Sequence, residues 1–155
     1  MTRPPESFEL KQLNQYSLAT STPTNAFVKV ERYAEDGETI IQDIIRYDKF
    51  VELLFKVMPI AMMKAHCGLG ITGEAGELAD CIKREIIYGK PLDRANLVEE
   101  LGDLKFYIQA TQLVYGISEQ EILQANADKL SERYAGLAYS DAQAIARADK
   151  KGTEA

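Results

Sequence analysis

Glu74-Ala75-Gly76-Glu77 and Glu100-Leu101-Gly102-Asp103 each place two carboxylates three residues apart. On a helix, side chains at i and i+3 share a face. Between the two phrases lie residues 78–99, interrupted by the turn signal Tyr88-Gly89-Lys90-Pro91. Two helices folded back on each other would therefore gather four acids into one cluster. Such carboxylates repel one another unless a cation sits among them. An oxygen-only donor set selects a hard divalent ion, Mg²⁺ or Mn²⁺, over zinc or copper.

Acidic i,i+3 pairs are commonly a solvated helix face, and two details argue against that here. Glu74 and Glu77 each precede a member of the apolar stripe Ile71, Ala75, Leu78, Ile82, and Glu100 and Asp103 do the same beside Leu97, Leu101, Leu104, Ile108. Both pairs thus border a seam. Positions 70, 73, 78, 81, 96, 99, 104 and 107 carry no basic residue that could neutralise them by i,i+4 pairing. Gly68, Gly70, Gly73 and Gly76 add a cluster that is costly inside a helix, at roughly 1 kcal/mol each relative to Ala. Close approach by another backbone or a ligand would account for it, as would a break between two helices over 66–73.

The complementary chemistry lies further on. Asn126, Lys129 and Arg133 share one helix face. Against a polyphosphate, Lys acts as a point charge and Arg as a bidentate fork. Asn can meet a base or sugar edge with paired donor and acceptor atoms. Lys83 and Arg84, two turns beyond Glu77, could reach the same anion, or could simply complement the helix dipole.

The elements that must position these residues are helical. Periodicity predicts an all-α fold with a four-helix core at about 44–57, 60–88, 94–115 and 118–134. Pro59 opens or kinks the second helix, and Gly89 and Pro91 stop it. Asp93 caps the third, Gly116 ends it, and Ser118 with Glu121 forms a capping box for the fourth. Ser140 is a possible cap for a short surface helix in the tail. Before the core, residues 6–20 carry Phe8, Leu10, Leu13 and Leu18 at helical spacing, and residues 21–25 read as a loop. Phe27–Tyr33 alternates as a short strand would, ahead of a turn at Glu35-Asp36-Gly37-Glu38.

A chain of 155 residues suits one domain. Its net charge of −6 argues against binding nucleic acid through general phosphate neutralisation, though not against a nucleotide held through metal ions. Apolar runs are too short to span a membrane, and no secretory signal follows Met1, so the expectation is a cytoplasmic protein. One histidine, His66, and two cysteines, Cys67 and Cys81, leave almost no ligands for zinc. On one helix the cysteines would lie about 21 Å apart, too far for a disulfide, so both read as small buried residues. A di-iron carboxylate bundle would need Glu-x-x-His motifs that a single histidine cannot supply.

The phrases GEAGELAD and EELGDLKFY, with 22 residues between Glu77 and Glu100, and then NADKLSERY, resemble the all-α nucleoside triphosphate pyrophosphohydrolases of the MazG type. That superfamily also holds phosphoribosyl-ATP pyrophosphohydrolases and dimeric dUTPases. The resemblance covers about residues 60–135 and divides the chain into an N-terminal extension with the first core helix (1–58), a MazG-like core (59–138) and a polar tail (139–155). It implies a homodimer or homotetramer in which Glu74, Glu77, Glu100 and Asp103 hold Mg²⁺, with Mn²⁺ able to substitute. It also implies that Asn126, Lys129 and Arg133 bind a nucleoside triphosphate, cut between its α- and β-phosphates. Glu77 is the acid assigned to the attacking water, a role that Glu74 and Glu100 could also fill. The competing reading is a non-catalytic nucleotide- or metal-binding module that senses its ligand or binds a protein.

Overall fold

The computed structural model describes residues 26–150; the helix expected over 6–20 lies outside them. The chain begins as a hairpin. Strand β1 (Phe27–Tyr33) pairs antiparallel with β2 (Ile40–Arg46), in register from Phe27 opposite Arg46 to Tyr33 opposite Ile40. The turn between them is held by Asp36, whose carboxylate accepts from the backbone N–H groups of Glu38 and Thr39, both at 2.9 Å. Gly37 supplies the positive φ, 74°, that the reversal needs. Arg32 reaches Asp43 diagonally across the strands at 2.6 Å, and Gln42 reaches Glu31 opposite it at 2.8 Å.

Helix α1 (Tyr47–Leu54) follows without a loop. The helix expected over 44–57 is therefore shorter than its periodicity suggests. Ile44 and Ile45 pair with Lys29 and Val28 in the ladder, an arrangement decided by a partner far away in sequence. The other end stops at Leu54, where Phe55 is already extended ahead of Pro59.

Helices α2 (Ile60–Ile86) and α3 (Arg94–Tyr115) form an antiparallel pair. Pro59 stands at the N-cap of α2, where its missing N–H costs nothing. The helix runs unbroken through residues 66–73, so the four glycines do not mark a break. Gly89, at φ 62°, turns the chain, and the Asp93 side chain caps α3 by accepting from Asn96 N–H at 3.1 Å. Gly116 ends α3 in the left-handed region, at φ 65°. Helix α4 (Glu119–Arg133) starts with the expected capping box: Ser118 Oγ accepts from Glu121 N–H, and the Glu121 carboxylate accepts from Ser118 N–H. A short 3₁₀ turn (Ala135–Leu137), helix α5 (Asp141–Ala146) capped by Ser140, and a last 3₁₀ turn (Ala148–Lys150) complete the described chain.

The core joins α1 to the α2–α3 pair through Val51, Phe55, Met63, Cys67, Ala110 and Val114, flanked by Tyr47, Phe50, Phe106 and Tyr107. Cys67 and Cys81 are free and buried. Helix α4 forms where expected but buries none of its residues, and it packs mainly on the C-terminal turns and α5. Its sequence explains this, because Ile122, Leu123 and Leu130 are its only large apolar side chains.

Among the α2 glycines only Gly70 is crowded. A Cβ there would clash with the Tyr107 ring, whereas Gly68, Gly73 and Gly76 face open space. Gly70→Ala is therefore expected to destabilise the fold by about 1–3 kcal/mol, since overpacking outweighs the gain in helix propensity. Urea unfolding checks this; a midpoint at or above the parent's would show that the contact with Tyr107 is not needed.

Candidate acidic metal site

The α2–α3 pair places three of the four acids together. Glu74 and Glu77 on α2 and Glu100 on α3 each offer a carboxylate oxygen, and these atoms lie within 4.8 Å of one another. Glu100 is buried, with 7% of its surface exposed; Glu74 is half-buried and Glu77 exposed. Asp103 stands at the margin, exposed, near enough for its charge to act on Glu74 and Glu100. Sequence spacing had placed all four at the border of the seam. Within one chain Glu100 instead enters the seam, while Leu101 and Ile108 face outward, 49% and 41% exposed.

Both inner acids resist ionisation. Burial raises the pKa of Glu74, and the charges of Asp103, Glu77 and Glu100 push it further. Burial likewise raises Glu100, helped by Glu77, Glu99 and Asp103 and opposed by a hydrogen bond from the Asn96 side chain. Asn96 and Glu99 are participants that the i,i+3 motif did not identify; Asn96 could have been noticed at i−4 from Glu100. Tyr47 is another, its pKa raised by burial and then by the Asp103 charge. Its position depends on α1 docking against α3, which no local spacing encodes.

A divalent cation fits this donor set. The donors are all carboxylate oxygens, converging from two helices, and no described basic residue forms an ion pair with them. The electrostatics give a signed expectation. With folded pKa values raised, Glu74 and Glu100 hold protons that the unfolded chain has released, so their penalty on the metal-free fold is full above their folded pKa and fades as pH falls through it. Lowering the pH from neutral toward the ordinary carboxylate range should raise the thermal midpoint of chelator-treated protein, and Mg²⁺ should flatten that dependence. Asp80 and Asp149, whose pKa values are lowered, give up their contributions only at more acidic pH. Thermal scans across that range decide it; a midpoint falling with acidification would contradict strain among these acids.

The basic candidates lie elsewhere. Among the described residues, none of Lys83, Asn126, Lys129 and Arg133 hydrogen-bonds or ion-pairs with the four acids. Lys83 pairs with Asp80 at 2.8 Å and sits over the Tyr88 ring, and Arg84 shares Asp80 at 2.7 Å. Both residues lie in the last turn of α2, engaged with Asp80 on their own helix. Asn126 and Lys129 are exposed on α4, and Arg133 is bound to Asp149. No helix among the described residues is long and apolar enough to cross a membrane.

Residues 64–137 match the family model described as the MazG nucleotide pyrophosphohydrolase domain, a span that contains all four acids and the α4 basic face. Neither a curated protein nor a solved structure matches the chain.

Proposed function

We infer, from the premise that this chain carries a MazG nucleotide pyrophosphohydrolase domain over residues 64–137, that it hydrolyses a nucleoside triphosphate between the α- and β-phosphates. A water oxygen adds to the α-phosphorus, the bond from that phosphorus to the bridging oxygen breaks, and a nucleoside monophosphate and pyrophosphate leave. The observation that carries this reading is the convergence of Glu74, Glu77 and Glu100 within the matched span, without an ion-pair partner among the described residues.

Glu74, Glu77, Glu100 and Asp103 would hold the metal, and Glu77, exposed on α2, would also orient the water and take its proton. Magnesium, when bound, supplies positive charge to the phosphate oxygens and acidifies nearby water. Lys129 and Arg133 would neutralise the phosphates and Asn126 would meet the sugar or base, with Lys83 a further contact for the anion. Within one chain α4 does not bring these groups to the acids, which favours a homo-oligomer. Leu101, Ile108, Val98 and Ile82 are exposed along the α2–α3 pair, and Gly68, Gly73 and Gly76 leave open space on α2. A second copy seated there would bury that surface and present its own α4.

The test is a panel of NTPs and dNTPs with Mg²⁺ or Mn²⁺, reading monophosphate and pyrophosphate together, with sedimentation at the assay concentration. Equimolar monophosphate and pyrophosphate is the expected result, and orthophosphate release contradicts the cleavage position. The separation of α4 from the acids in one chain also favours a second reading, a non-catalytic module. That protein would gain stability from Mg²⁺ and nucleotide together yet release no pyrophosphate.

A further inference from the structure

Arg133 ends α4 with its guanidinium already engaged. Its Nε and Nη2 donate to the two carboxylate oxygens of Asp149, each at 2.7 Å. The side chains are 19% and 1% exposed, which makes this the most enclosed ion pair among the described residues. Beside that pair, the segment that carries Asp149 meets α4 through its 3₁₀ turns and α5 and through the Tyr134–Tyr139 ring contact, with centroids 5.5 Å apart. Its two 3₁₀ turns and α5 contain no buried residue, and Leu137, Tyr139 and Ile145 are 83%, 72% and 82% exposed. A cavity of about 270 Å³ remains between α4 and the segment, lined by Ala127, Leu130, Ser131, Tyr134, Leu137 and Tyr139. Leu137 and Arg147 adopt left-handed φ values of 55° and 45°, a conformation unfavourable for side-chain-bearing residues. The segment is thus a thinly packed strap whose most enclosed ion pair with α4, among the described residues, is Arg133–Asp149.

We propose that Asp149 is an internal competitor for the phosphate on Arg133, so that residues 134–150 form an autoinhibitory strap that substrate must displace. A carboxylate and a phosphate each offer two oxygens to the same guanidinium fork, so the two partners exclude each other. The inference rests on the reading that the α4 basic face serves a triphosphate. The apparent affinity for substrate is then the intrinsic affinity scaled by the fraction of molecules with the strap open.

Asp149→Asn in the full chain should lower KM for the triphosphate about three- to tenfold, with a smaller change in kcat. Asp149→Glu, which keeps the carboxylate, should keep the parental KM. In an Arg133→Ala background, Asp149→Asn should have no further effect on KM. A folded Asp149→Asn protein with an unchanged or raised KM overturns the proposal. Hydrogen exchange on the unaltered protein gives a readout independent of turnover and of variant folding: magnesium pyrophosphate should speed exchange at amides of 141–150, and unchanged exchange there also overturns it. Faster exchange in a protein that releases pyrophosphate from no triphosphate would uphold the strap while defeating the catalytic reading. Pyrophosphate release by a protein whose exchange and Asp149→Asn KM do not move would do the reverse.

Discussion

Glu77→Gln is expected to reduce pyrophosphate release by about 10²–10⁴-fold, the range typical of losing a positioned acid–base group. The substitution keeps the side chain's size and removes its charge at an exposed position of α2, so the fold should be unaffected. Glu77 does not stand in the inter-helix seam as Glu100 does, and that difference separates the two roles assigned to the acids. If Glu77 handles the water, turnover collapses while the Mg²⁺-induced rise in melting temperature survives in part. A variant that still turns over in a metal-dependent manner at near the parental rate would move the role to Glu74 or Glu100. Single-turnover kinetics beside a thermal scan distinguish these results.

Glu100→Gln should give an effect of opposite sign on the metal-free protein. Replacing a buried carboxylate that faces Glu77, Glu99 and Asp103 with an isosteric amide removes both a desolvated charge and its repulsions. The chelator-treated variant should therefore melt higher than its parent. Mg²⁺ at a hundredfold excess over its dissociation constant should stabilise the parent by about 2.7 kcal/mol, or roughly 5–11 °C for a chain of this size, and the variant should lose most of that shift. A solvated acidic face predicts neither result: the substitution would then change stability by less than about 0.5 kcal/mol, with or without metal. Calorimetry on both proteins, with chelator and with Mg²⁺, is the measurement. Equal Mg²⁺ responses would exclude Glu100 from the site.

These two acids also show how far the sequence could be read. The helices that carry them were legible because their ends are written locally, in Pro59, Gly89, Asp93 and Gly116, with the Ser118–Glu121 box opening the next. The antiparallel pairing that gathers Glu74, Glu77 and Glu100 followed from one turn between two helices. Legibility failed where a distant partner decided the outcome. Ile44 and Ile45 fit a helical period, but Lys29 and Val28 claim them for a ladder. Leu101 and Ile108 look like core from their spacing, yet within one chain the seam takes Glu100 instead. Helix α4 was correctly bounded, but its period could not say which surface it would lie against. The pairing of Arg133 with Asp149 had no signal at all, because it depends on how the strap returns.

The connection between α2 and α3 spans only residues 87–93, tied back by Lys90 N–H to Arg84 O at 3.2 Å. All four acids therefore belong to a single helical hairpin, closed by one short connection. Loop closure for such a unit is cheap. Pairing of those two helices would therefore suffice to bring the acids together, whatever the strands before them and the strap behind them do. Insertions, deletions or drift at either end of the chain can remodel who reaches the site while leaving the pairing that assembles the site itself untouched.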